Sequence, residues 1–177
     1  TGTLLEGTLS VGQEVELVVS EKRTRIRGLQ THKKKEGEAL AGSRVAVNLT
    51  NIPYEEIQRG EVLTIPRWLR PTTAIDVHLR IIADAPRPLK HNSHVTFHIG
   101  SSETNARVRL LEGDKVAPGE YAWAQLKLDD PLAIVKGDYF VIRSPETTLG
   151  GGNVVDIRPK RHKRNQRPTI ERLEIMA

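Results

Sequence analysis

The chain has 177 residues, 37% of them hydrophobic and 28% charged, with no cysteine and a net charge of +5. That balance describes a folded globular chain, long enough for one large domain or two small ones and too apolar for disorder. It excludes disulfides and thiolate metal sites, and no apolar run approaches the roughly 18 residues that a membrane-spanning helix needs.

The charge is uneven. Between Arg158 and Ala177, seven basic residues stand against Glu171 and Glu174, which accounts for the whole of the +5. A second basic stretch, Lys22-Arg23-Thr24-Arg25-Ile26-Arg27, is followed by His32-Lys33-Lys34-Lys35. A polyanion such as nucleic acid suits both stretches; a solvated hairpin and a solvated linker would carry the same residues. The lack of a signal peptide and of cysteines favours a cytoplasmic protein. Met176 is the one methionine, and Thr1 opens in mid-pattern, as expected for a piece of a longer protein.

In chain order the dominant period is two. Glu14 to Val19, Thr24 to Leu29 and Arg44 to Leu49 read as strands separated by turn residues. Tyr54 to Gly60 is a polar turn leading to Glu61-Val62-Leu63-Thr64. Pro66 and Pro71 then bracket a domain junction. Strands resume at Ala74 to Ile82, Val95 to Ile99, Ala106 to Leu111, Tyr121 to Leu128, Asp138 to Arg143 and Asn153 to Ile157. Many short strands with Gly and Pro turns predict an all-β fold of two consecutive small β-barrels. Their expected limits are 1–68 and 72–158, followed by a basic linker and helix start over 159–177. In that last segment Thr169 is the expected cap, with Ile170, Leu173 and Met176 on one face.

Arg44 is the most informative residue. Val45, Val47 and Leu49 alternate with Arg44, Ala46 and Asn48, so the latter three share the face away from the core. A permanently charged fork of donors, with only Ala46 beside it, suits an anion or a polar chain end. An ordinary solvated arginine on a half-buried strand fits the same pattern.

Other chemistries fail on spacing. His94 and His98 share a strand face and His91 precedes the strand, but no fourth ligand accompanies them, so no metal site is expected. Gly150-Gly151-Gly152 lacks the lysine and hydroxyl of a phosphate loop and reads as a hairpin turn. No paired carboxylates or Ser/His/Asp set can be assembled. Nothing in the chain reads as catalytic.

The runs Thr1 to Leu9, Val11-Gly12, Arg25 to Gln30, Ala41 to Ala46 and Arg59 to Leu63 resemble the second domain of translational GTPases. Ala41-Gly42-Ser43-Arg44, with arginine where elongation factor Tu has asparagine, resembles the selenocysteine-specific elongation factors (SelB). So do His94 to Ser102, Ala106 to Leu111, Pro118-Gly119-Glu120, Asp138 to Arg143 and Thr148 to Gly152, which resemble that family's third domain. The likeness covers about residues 1 to 160.

The resemblance implies translation-factor barrels that grip the acceptor arm of selenocysteyl-tRNA for delivery to the ribosome. It implies that Arg44 lines the pocket for the selenocysteyl group. Gln30 and His32 would lie near the terminal adenosine, and His98, Ser101, Arg143 and Thr148 near the acceptor and T stems. Plain barrel surface is the alternative for the third-domain residues. GTP and magnesium would belong to the full-length protein; the nucleotide-binding motifs are absent here, and no cofactor is expected in this piece. An mRNA hairpin would be read by further C-terminal domains, and no membrane partner is implied. Two other readings stay open: the equivalent domains of another translational GTPase, of elongation factor Tu or initiation factor type, or a non-catalytic interaction pair of barrels.

Overall fold

The computed structural model describes residues 1–177, which divide into two compact units, Thr1–Arg70 and Pro71–Ala177. The fold is all-β with a single helix.

The first unit contains β1 (Gly2–Thr3), β2 (Thr8–Ser10), β3 (Glu14–Leu17), β4 (Lys22–Thr31), β5 (Lys34–Glu36), β6 (Glu38–Leu40), β7 (Arg44–Leu49) and β8 (Leu63–Thr64). One sheet runs β1-β7-β4-β3-β8, with β5 paired to β4, and β2 pairs with β6 separately. Both sheets share a core: Val15, Ile26, Leu29 and Val45 meet Ala39 of β6, and Leu9 of β2 packs against them. This is a half-closed barrel. Tyr54–Glu56 form a short 3-10 turn within the polar segment read as a turn.

A bulge fixes the faces of β4. Ile26 pairs with Leu49 and Gly28 with Asn48, so Arg27 is an extra residue in the ladder. Ile26 and Leu29, three positions apart, are therefore both buried. The hairpin between β4 and β5 turns through His32 and Lys33, with φ of 50° and 65°. Two-residue hairpins favour this left-handed pair because its twist matches that of the strands.

The second unit contains β9 (Thr72–Ile81), β10 (Leu89–Lys90), β11 (Ser93–Ile99), β12 (Ser102–Leu110), β13 (Lys115–Val116), β14 (Tyr121–Leu132), β15 (Tyr139–Arg143) and β16 (Thr148–Asp156). Six of these close a barrel in the order β11-β12-β14-β9-β16-β15, and β10 pairs with β13. Alternation fills the interior: Ile75, Val77, Leu79 and Ile81 of β9 meet Val95, Phe97, Val108, Leu126 and Ile142. Phe97 and Phe140 stack with centroids 5.3 Å apart.

Two expectations are corrected. Gly150-Gly151-Gly152 is not a hairpin turn but the middle of β16. A Cβ would lie 2.2 Å from the Arg80 carbonyl oxygen at Gly150, 2.4 Å from that of Phe140 at Gly151 and 1.9 Å from that of His78 at Gly152. The neighbouring strands approach too closely for any side chain, which is why the run is all glycine. Thr169 does not cap the helix α1 (Arg167–Met176): Gln166 holds that position, and proline sits in the first turn, where a missing N–H costs nothing.

The segment after β16, read from sequence as a solvated basic linker, lies against the barrel. Asn165 N–H donates to the Leu111 carbonyl at 2.7 Å. Arg164 donates to the carbonyls of Leu110 and Gly113 and pairs with Asp114 at 2.8 Å. Ile170 and Leu173 pack on Leu111 and Val155. Charge composition alone could not reveal this, because the partners are mostly backbone carbonyls and the anchoring apolar residues are few.

The glycine run yields a sharp stability test. Gly152→Ala should cost about 3 kcal/mol through overpacking, read from urea denaturation midpoints. Gly37→Ala, where nothing lies within 4 Å of the built Cβ, should change stability little.

Candidate functional site

Arg44 opens β7 between β1 and β4, directly opposite Thr3. It is exposed, as is Asn48, while Ala46 between them is half-buried and Val45 is fully buried. Its guanidinium makes no hydrogen bond or ion pair. Ala46 pairs with Gln30 of β4, and Gln30 pairs in turn with Lys35 of β5. Directly paired residues share a sheet face, with Cβ atoms about 5 Å apart and diagonal neighbours about 7–8 Å apart. Arg44, Ala46, Gln30 and Lys35 therefore form one outward patch, with Gln30 diagonal to Arg44.

The bulge at Arg27 makes this patch. Ile26 faces the core, so an unbroken period of two would turn Gln30 inward with it. The extra residue instead turns Leu29 inward and leaves Gln30 exposed beside the Arg44 strand. His32 sits exposed in the β4–β5 turn, on the same hairpin as Gln30. Lys35 was noted in sequence only as part of a basic run; its pairing with Gln30 is what brings it to this face. No composition or spacing signal shows a partner across strands.

The remaining sequence candidates gather on the second unit. His98 of β11 pairs with Glu103 of β12 and with Val141 of β15. Its Nδ1 lies 3.5 Å from Glu103 Oε2, so a protonated His98 would be committed to that carboxylate. Ser101 lies in the two-residue turn that joins β11 to β12, beside Gly100 at φ 55°. Arg143 is exposed at the end of β15, opposite Thr96 and, across a bulge, opposite Thr148. The structure thus brings His98 and Arg143 to one outward face as diagonal neighbours, with Thr148 paired to Arg143. The loop between Arg143 and Thr148 is drawn tight by Ser144, whose amide donates to the Thr147 carbonyl at 2.9 Å.

His91, His94 and His98 do not converge. His91 precedes β11, and no cluster of three or more potential metal ligands exists anywhere in the chain. His91 Nδ1 is buried without a partner, and burial with the nearby Arg164 and Arg109 guanidiniums keeps its pKa below the ordinary histidine value. No helix is long and apolar enough to cross a membrane.

Two half-chain matches coincide with the two units. The family model described as "Selenocysteine-specific elongation factor, beta-barrel domain" matches residues 75–161, and "Elongation factor Tu domain 2" matches residues 1–64. The chain belongs to the selenocysteine-specific elongation factors. A relative of that name from Desulfomicrobium baculatum is 42% identical over 158 residues, covering 88% of this chain and 25% of its own length. Another, from Haemophilus influenzae, is 33% identical over 170 residues, covering 94% of this chain and 27% of its own. The chain therefore spans about a quarter of the length of the curated relatives it matches. Family membership places these barrels in a translation factor.

Because Arg44 has no intramolecular partner, its loss should leave the fold intact. Arg44→Ala should shift the unfolding free energy by less than about 0.5 kcal/mol, measured by chemical denaturation of the 177-residue chain. A larger loss would reveal a structural role for the guanidinium.

Proposed function

We propose that this chain is the aminoacyl-tRNA-holding module of a selenocysteine-specific elongation factor, and that Arg44 receives the selenocysteyl group. The observation that supports this reading is an exposed guanidinium with no partner, on a patch whose other members are small or polar. A selenol is more acidic than a thiol, so the selenocysteyl side chain is largely an anion at neutral pH. A guanidinium can pair with that anion through charge-assisted hydrogen bonds. The neutral hydroxyl of serine, a close analogue of the same size, offers no such charge. Covering Arg44 with seryl-tRNA would leave a desolvated cation unpaired, at a cost of about 3 kcal/mol, or on the order of 10²-fold in affinity.

On this reading Gln30 and His32 approach the terminal nucleotide, with Lys35 supplying a charge to its phosphate. His98, Ser101, Arg143 and Thr148 track the acceptor and T stems, mainly through phosphate and sugar contacts that fix register without reading sequence. The contribution of such contacts falls steeply with salt. GTP hydrolysis, with magnesium, is assigned to the whole protein and not to these residues. Delivery to the ribosome and reading of an mRNA hairpin are likewise properties of the whole protein.

The test uses the full-length protein and both charged tRNAs. Arg44→Ala should reduce the preference for selenocysteyl-tRNA over seryl-tRNA by about 10²-fold, with Arg44→Lys retaining part of it. A preference equal to that of the unmutated protein would reject the pocket assignment.

A further inference from the structure

A carboxylate on the outer face of a barrel ordinarily meets water. Asp76 does not: it is 0% exposed, on the outward side of β9, beneath the segment that follows β16. Gln125 Nε2 donates to its Oδ1 at 3.0 Å and also to the Lys160 carbonyl at 3.0 Å. His162 Nε2 lies 2.5 Å from Asp76 Oδ2. From α1, Arg172 reaches to 3.8 Å of the same oxygen and to 4.0 Å of Asp156. From β12, Arg109 donates to the His162 carbonyl at 3.3 Å. The covering segment is thus pinned at Lys160, His162, Arg164 and Asn165 before α1 lays Ile170 and Leu173 on Leu111, Trp123 and Val155.

We propose that residues 158–176 form a latch over the outer face of the second barrel, locked by a shared proton between Asp76 and His162, and that the latch loosens as pH rises through neutrality. The closed pair can hold one proton between a carboxylate oxygen and an imidazole nitrogen in direct contact. Opening the latch exposes the two groups to water, where they titrate separately. A histidine in water gives up its proton near pH 6.5, while an aspartic acid has lost its own near 3.9. Between those values the open and closed pairs carry one proton each, and the balance is flat. Above them only the closed pair retains its proton, so rising pH favours opening.

The charges facing the pair do not reverse this sign. Burial, the largest influence on Asp76, raises its pKa above the ordinary carboxylate value; His162 and Gln125 lower it less, and Asp156 adds to the rise. A raised carboxyl contributes most to closure below its ordinary value, and that contribution is lost as pH climbs through the raised one. Arg172 and Arg109 keep their charge throughout this range, so they hold the latch by a pH-independent amount. Arg164 and Asp114 form a separate exposed pair at the latch's far side.

Release should be visible as amide exchange in the 177-residue chain, followed from pH 6 to 9 and corrected for intrinsic rates. The reporters are the Asn165 amide, bonded to the Leu111 carbonyl, and the amides of α1. Their protection should fall by up to about tenfold per pH unit for the one proton released, while barrel amides such as Val154 keep theirs. His162→Gln retains a donor but cannot titrate, and should abolish the slope; Asp76→Asn should do the same. A flat profile in the unmutated chain would overturn the proposal, as would an unchanged slope in His162→Gln. Should Asp76→Asn fail to fold, His162→Gln decides alone, because its side chain lies outside the barrel core.

Discussion

The ladder between β4 and β7 controls what the first unit can present to a ligand. Backbone hydrogen bonds set which residues stand opposite each other, and pleating sets which face each takes. A single extra residue at Arg27 reverses the parity of everything after it on β4. Leu29 is thereby sent into the core with Ile26, and Gln30 is sent out beside Ala46 and diagonal to Arg44. Without that local irregularity the strand would have to bury an amide or expose a leucine. The recognition patch and the core of this unit are two consequences of one register.

The chemistry of the patch follows from what it lacks. Most cations near the ends of strands find a carboxylate: Arg23 lies 3.6 Å from Glu16, and Lys22 pairs with Glu56. Arg44 has Thr3 opposite it and a small Ala46 two residues on, and neither can neutralise it. A solvated guanidinium costs the folded chain nothing while water covers it. Once a ligand displaces that water, the same group demands an anion. The energy of discrimination is therefore absent from the free protein and arises only on binding, which is how a side chain irrelevant to stability can govern selectivity.

Much of the architecture was legible because β-structure writes its faces into the sequence. The alternation in Arg44 to Leu49 predicted β7 with the boundaries it has, and the outward side of Arg44 with it. The helix face of Ile170, Leu173 and Met176 was equally plain, with the first two buried and the third packed beside them. What escaped were the features that depend on a neighbouring strand. Gly150 to Gly152 carry no local signal that distinguishes a turn from a strand with carbonyls pressed against it. Lys35 joins the Arg44 patch only through Gln30, and Asp76 and His162, 86 positions apart, meet only because β9 and the covering segment share a wall.

The distribution of cations separates two uses of the same charge. In the last twenty residues Arg164 is spent on carbonyls and Asp114, and Arg172 on Asp76 and Asp156. The basic composition there is in part an internal adhesive, holding a polar segment to a surface with few apolar contacts. Counting those residues as a polyanion site would overstate it, since a guanidinium already donating to carbonyls cannot take a phosphate without letting go. Arg158, Lys160, Arg161 and Lys163 are exposed and remain available to a polyanion. Arg44, alone in its patch among the guanidiniums and free of any partner, is the reverse case: one charge, uncommitted and fixed in place by register. A net charge of +5 could have described either arrangement. Which cations are free, and not how many there are, decides where this chain can meet an anion.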